Sequence, residues 1–395
     1  VATFAPFLKH MTTSHISTSQ LTKFIIGLVL LFSIQACETP EKVLKSNDLD
    51  YKIKTATRWY EKKEYVKCIP VFEELMGLLK GTKSTEDIYY MYCWANYRQG
   101  DYLISAYHFN NFTKLYPASA KAEECAYMSA KSHAKLSPKP TLDQTNTFKA
   151  IETYQTFVNN YPESNLVDTA NTDFLKLRKK LEEKNLSNAE LYYKTENFKA
   201  AATAFKNILT DYPDIDNVDY IYFMIIKSYD KYAQNSIQSK KAERYNDVYK
   251  AFKDFEYRFP KSKHLDASLD LSNASHFKAM KAAFKNAELV KPEQRSQECF
   301  VAIQQIQKQL TQITDQKEIN KANIMMEKVH IIWFKNELLL AKEATDKASR
   351  KKYLEQSIKT YYTFVDKFKD SKYAPRAEKE FLKATDQLKK LNENG

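Results

Sequence analysis

The residue types that most often do chemistry are cysteine, histidine, paired carboxylates and clustered glycines. This chain of 395 residues holds 5 cysteines, Cys37, Cys68, Cys93, Cys125 and Cys299, and 7 histidines. No two cysteines stand as C-x-x-C and no two histidines as H-x-x-x-H, so no zinc site is written into a local motif. No G-x-S-x-G nucleophile turn, Walker A loop or dinucleotide-binding glycine pattern occurs. With only 5 glycines, loops that cradle phosphate with bare backbone are scarcely available. The expectation is a protein that is not an enzyme and uses no cofactor and no metal.

One thiol stands in a specific context. Lys23 is followed by FIIGLVLLFSI and then Gln35-Ala36-Cys37. A membrane-spanning helix needs about 20 apolar residues, and this run stops well short. A positive residue, a short apolar core and a small residue before a cut form the secretory-signal pattern. Ile34-Gln35-Ala36-Cys37 resembles a bacterial lipobox, with an aliphatic residue three before the cysteine and a small one just before it; Gln35 departs from the usual small or aliphatic residue. The resemblance implies that the Cys37 thiol receives a diacylglycerol and that cleavage leaves it as the acylated N-terminus. Residues 1–36 are read as the signal peptide, with 1–10 an upstream extension ahead of Met11. Residues 37–49 are read as a lipidated tether, in which Pro40 discourages helix. Two or more acyl chains anchor stably where one is marginal.

A second group of residues suits binding. Tyr60, Tyr90, Trp94, Tyr97 and Arg98 fall off the core positions of their helices and are expected on one concave side. Aromatics beside an arginine suit an extended apolar peptide that ends in a carboxylate.

Those residues are positioned by a repeat. NFTKLYPASA (111–120), TFVNNYPESN (156–165), NILTDYPDID (207–216) and DFEYRFPKSK (254–263) share a shape, and TFVDKFKDSK (363–372) repeats it with Lys369 in place of proline. The prolines at 117, 162, 213 and 260 are spaced by 45, 51 and 47 residues, the near-constant period of a repeat architecture. Upstream, the spacing is helical: Tyr89, Tyr92, Cys93, Gly100, Tyr102, Ser105, Phe109 and Phe112 before Pro117. The other units give Ala56, Trp59, Tyr65, Cys68, Phe72 and Leu75; Ala150, Tyr154 and Phe157; Ala189, Tyr192, Phe198, Ala201, Phe205 and Ile208; and Phe252 and Phe255. In the third unit, LSPKPTLDQT is inserted between the two helices. These steps match the tetratricopeptide pattern, in which small residues let two helices approach and aromatics fill the space between hairpins. Each hairpin has an apolar face it cannot bury alone, so hairpins stack. The fold expected is all-α, a tetratricopeptide-like helical-hairpin solenoid (an α-α superhelix). Residues 50–180 form N-terminal repeats, 181–288 C-terminal repeats and 289–395 an additional helical segment. Cys68 and Cys93 sit at small-residue positions and read as packing thiols.

The formal charge is +12, but it is spread along helices as mixed-sign faces. No basic stripe or recognition motif stands out, so nucleic acid is not an expected partner. Aromatics at 13% supply too much apolar surface for disorder.

The order of lipobox cysteine, short tether and about five tetratricopeptide-like units is more specific than any one of them. VLKSNDLDYKIKTATRWYEKKEYVKCIPVFEELM, the unit holding LSPKPTLDQTNTFKAIETYQTFVNNYPES, and YAQNSIQSKKAERYNDVYKAFKDFEYRFPKSK together resemble the BamD family, from about Cys37 to Ala283. The resemblance implies a non-enzymatic lipoprotein at the periplasmic face of the outer membrane. It implies as partners the periplasmic domains of BamA, the other BAM subunits and unfolded outer-membrane β-barrel precursors. An envelope lipoprotein that scaffolds cell-wall or division proteins would show the same anchor and repeats. A family member normally ends near residue 285. The segment SRKKYLEQSIKTYYTFVDKFKDSKYAPRAEKEFLKA resembles SKKAERYNDVYKAFKDFEYRFPKSKHLDAS, so the tail reads as an internal duplication.

Overall fold

The computed structural model describes residues 38–393; the residues read as a signal peptide, and Cys37, lie outside the described residues. Among the described residues there are helices and no strand. They form two compact units divided between Lys180 and Leu181. No described helix is long and apolar enough to cross a membrane.

The first unit opens with a short helix, α1 (Pro40–Leu44), followed by α2 (Leu49–Glu61), α3 (Tyr65–Leu78), α4 (Lys83–Gln99), α5 (Tyr102–Leu115), α6 (Ala122–Leu136) and α7 (Thr145–Asn160). Each packs on the next from α2 to α7. α8 (Val167–Lys194) carries the division between the units. The second unit continues with α9 (Phe198–Asp211), α10 (Val218–Gln234), α11 (Gln238–Arg258), α12 (Leu265–Leu289), α13 (Pro292–Leu310), α14 (Gln316–Glu343), α15 (Lys347–Lys367) and α16 (Ala374–Glu393). Within it, alternate helices also touch: α10 on α12 and α12 on α14.

The aromatics that end each hairpin form the core. Phe72, Phe109, Phe112, Phe157, Phe205, Phe255 and Phe364 are almost wholly buried. Burying such a side chain contributes roughly 1.5–3 kcal/mol. The small residues Ala56, Cys68, Cys93, Ala150, Ala189 and Ala201 are fully buried beside them. Cys68, Cys93, Cys125 and Cys299 are buried free thiols. Burial pushes the Cys68, Cys125 and Cys299 thiols up to about 12, so they remain protonated and act as packing groups.

The turn after each hairpin recurs in detail. Tyr116, Tyr161, Tyr212, Phe259 and Phe368 all leave their helices with φ between −128° and −134° and ψ between 57° and 70°. Each donates its N–H to the carbonyl four residues back. Phe368 does so although Lys369 follows in place of proline, so the turn does not depend on the proline. The tail repeats α11 closely: α11 and α15 are each 21 residues long.

A serine two residues beyond the proline position clasps the turn. The hydroxyl of Ser119 donates to Glu86 at 2.6 Å, Ser262 to Asp219 at 2.7 Å and Ser371 to Glu327 at 2.6 Å; Ser164 donates to Glu123. Each Oγ also accepts the N–H two residues on. The exception is Ile215, which is buried instead.

Two sequence expectations are corrected. The stretch read as a tether holds a short helix. Pro40 begins α1 rather than preventing it, because proline at the first helical position lacks only an N–H that would be unbonded anyway. Val43 is fully buried, Lys52 donates to the Leu44 carbonyl at 2.9 Å and pairs with Glu74 at 2.8 Å, and Glu38 accepts from the Tyr51 hydroxyl at 3.1 Å and pairs with Arg58. Tyr192, expected at a packing position, is exposed.

Candidate functional site

Helix α4 presents two faces. Thr85, Ile88, Tyr89, Tyr92, Cys93 and Asn96 are buried. Tyr90, Trp94 and Arg98 follow steps of four, and Tyr97 lies three from Trp94, which places them on one face of a 3.6-residue helix. The helix stops at Gly100, whose φ is +97°. Its N–H reaches the Asn96 and Tyr97 carbonyls, and Asp101 N–H also reaches Asn96. This left-handed cap favours glycine, and it fixes the last turn that carries Tyr97 and Arg98.

All five sequence-selected residues come together. The Arg98 guanidinium lies 5.7 Å from the centre of the Tyr60 ring and 5.2 Å from the Trp94 ring. Trp94 meets Tyr97 at 5.7 Å and Tyr90 at 6.4 Å, both edge-to-face. Aromatic pairs in this geometry contribute about 0.5–1.5 kcal/mol beyond burial. Arg98 is exposed; the four aromatics are half-buried, with part of each ring packed on the core. Their packing on one another and on the core leaves each ring only partly open to solvent.

Other residues complete the site. Tyr65 accepts from Arg98 Nη1 at 3.3 Å, which raises the Arg98 pKa and keeps it cationic. Arg98 has aromatic partners and no carboxylate partner among the described residues. At the other end of the stripe, Tyr90 donates to Glu124 at 2.6 Å, and Lys121 stands 4.9 Å from the Tyr90 ring. Phe109 packs edge-on against Trp94, and Tyr102 against Tyr97. Burial raises the pKa of Tyr60, Tyr90 and Tyr97, with Glu124 adding to the shift at Tyr90 and Arg98 opposing it at Tyr60. The phenols therefore stay neutral and act as hydrogen-bonding, stacking surfaces. The Trp94 indole N–H is buried without a partner. Tyr65 was legible only as a packing position, and Glu124 and Lys121 arrive from the next hairpin with no local signal in the sequence.

The set can hold an apolar or aromatic side chain beside one anionic group, and Arg98 is the fixed cation for it. Among the described residues no cluster of histidine, cysteine or carboxylate could hold a metal ion.

Helical hairpins closed by one recurring turn, with small residues at their contacts, define a tetratricopeptide-type repeat protein. Residues 50–245 match the family described as YfiO, outer membrane lipoprotein. The chain is thus a BamD-like helical-repeat protein. It is 22% identical over 233 residues to the outer membrane protein assembly factor BamD of Pasteurella multocida (strain Pm70), covering 56% of this chain and 89% of that one. It is 26% identical over 132 residues to the putative outer membrane protein assembly factor BamD of Aquifex aeolicus (strain VF5), covering 33% of this chain and 42% of the relative. Among solved structures, a tetratricopeptide repeat protein from Parabacteroides merdae ATCC 43184 overlaps 85% of this chain and 98% of its own at 11% identity, with a TM-score of 0.24.

Proposed function

We propose that the chain is a non-enzymatic lipoprotein subunit of the β-barrel assembly machinery at the periplasmic face of the outer membrane. In this reading Cys37 carries the lipid anchor. The C-terminal repeats hold the periplasmic domains of BamA, the tail from residue 289 extends that surface or meets another BAM subunit, and the stripe at Tyr60, Tyr90, Trp94, Tyr97 and Arg98 receives the C-terminal segments of unfolded β-barrel precursors.

The observation that carries the reading is the match of residues 50–245 to the outer membrane lipoprotein family. The Arg98 stripe lies inside that span. A guanidinium held between two aromatic rings without a carboxylate partner is prepared for a carboxylate, and the half-buried rings around it suit an aromatic residue at the end of a strand.

Depletion of the protein tests it. Loss of β-barrel proteins from the outer membrane is the expected outcome. A division or wall defect with normal barrel levels would instead favour an envelope scaffold of another complex.

A further inference from the structure

The segment that follows the lipobox cysteine is part of the folded body. Glu38 is the residue after Cys37, and its Cα is about 3.8 Å from that of the cysteine. Its carboxylate accepts from Tyr51 at 3.1 Å and pairs with Arg58, both on α2. Five residues on, Val43 is fully buried, and the Leu44 carbonyl accepts from Lys52, itself almost wholly buried. α1 thus covers the open end of the first hairpin, as terminal elements of repeat proteins do. A free chain from Cys37 to Asp48 would reach about 40 Å; the docked one reaches nowhere.

We propose that the docked segment removes the slack between anchor and repeats, so that the face of α2 around Tyr51, Lys54 and Arg58 is held against the phospholipid surface. This rests on the reading that Cys37 is acylated. Lys54 is exposed, and Arg58, paired with Glu38, is exposed on the same face of α2 as Tyr51, so this face is the one that stands beside the anchor. The first hairpin is then a fixed base on the membrane, from which the following hairpins leave in a set direction.

The test uses the full, acylated chain in phosphatidylcholine vesicles that carry a headgroup-attached quencher. Lys54→Cys supplies an exposed thiol for a fluorophore, since the thiols at 68, 93, 125 and 299 are buried. Strong quenching is expected. Inserting about 20 Gly-Ser residues between Cys37 and Glu38, with an end-to-end length of about 25 Å, leaves α1 docked and should remove most of the quenching. Val43→Asp, which undocks α1, should do the same without lengthening the chain. Equal quenching with and without the insertion overturns the proposal. Failure of the unmodified chain to bind vesicles, with no acyl group on Cys37, overturns the anchoring reading and this proposal together; binding with an unquenched Lys54→Cys label overturns this proposal alone.

Discussion

In the proposed function, Arg98 is the residue on which recognition would turn. Its charge is fixed, its plane is packed against Tyr60 and Trp94, and its remaining donors face solvent. A hydrogen bond between charged partners contributes about 1.5–3 kcal/mol, so Arg98→Ala should weaken a C-terminal, aromatic-ended barrel peptide by about 10- to 100-fold. Fluorescence anisotropy measures this directly. Amidating the peptide's C-terminus should weaken binding to the unmodified protein equally and have little further effect on the variant. If the amidated peptide binds the unmodified protein as well as the free acid, Arg98 does not read the carboxylate. Gly100 acts on the same site through the backbone. A Cβ there would meet nothing within 4 Å, so the cost of Gly100→Ala is the left-handed conformation alone, about 1–2 kcal/mol, read as a lower denaturation midpoint.

The recurring element is the clasped turn. Ser262 and Ser371 each bond a carboxylate on the partner helix of their own hairpin. Replacing either by alanine should cost about 1.5–3 kcal/mol in a urea titration, and a cost near zero would show the clasp to be incidental. Lys369 gives the converse test. Phe368 already has the backbone conformation of the residues that precede Pro117, Pro162, Pro213 and Pro260. Lys369→Pro should therefore be tolerated and raise stability by about 0.4–1 kcal/mol, through the unfolded chain. The repeat period, the core aromatics and the place of the loop between α6 and α7 were legible in the sequence because helical spacing and proline are local signals. The serine clasp stood in the same quoted segments, but its acid partner lies 33 to 44 residues away, and no local pattern pairs them. The docking of α1 was misread because Pro40 is equally at home in a loop and at the first position of a helix.

For the molecule as a whole, buried and half-buried histidines set a pH dependence. Burial lowers the pKa of His108, His133, His276 and His330 from the ordinary 6.5. The unfolded chain therefore takes up protons first as pH falls. The stability due to these neutral rings is fully present above about pH 6.5 and is lost as pH drops through that value toward the lower folded pKa. The thermal midpoint should fall between about pH 7.5 and about pH 5.5, and an unchanged midpoint would contradict that linkage. The proposed membership of the assembly machinery belongs to the same scale, since it would draw on surfaces contributed by many hairpins rather than on one residue. Its most direct measurement is purification of the tagged, full-length protein from membranes in mild detergent, with identification of what accompanies it. The expected result is co-purification with BamA; recovery of the protein in good yield without BamA would contradict it.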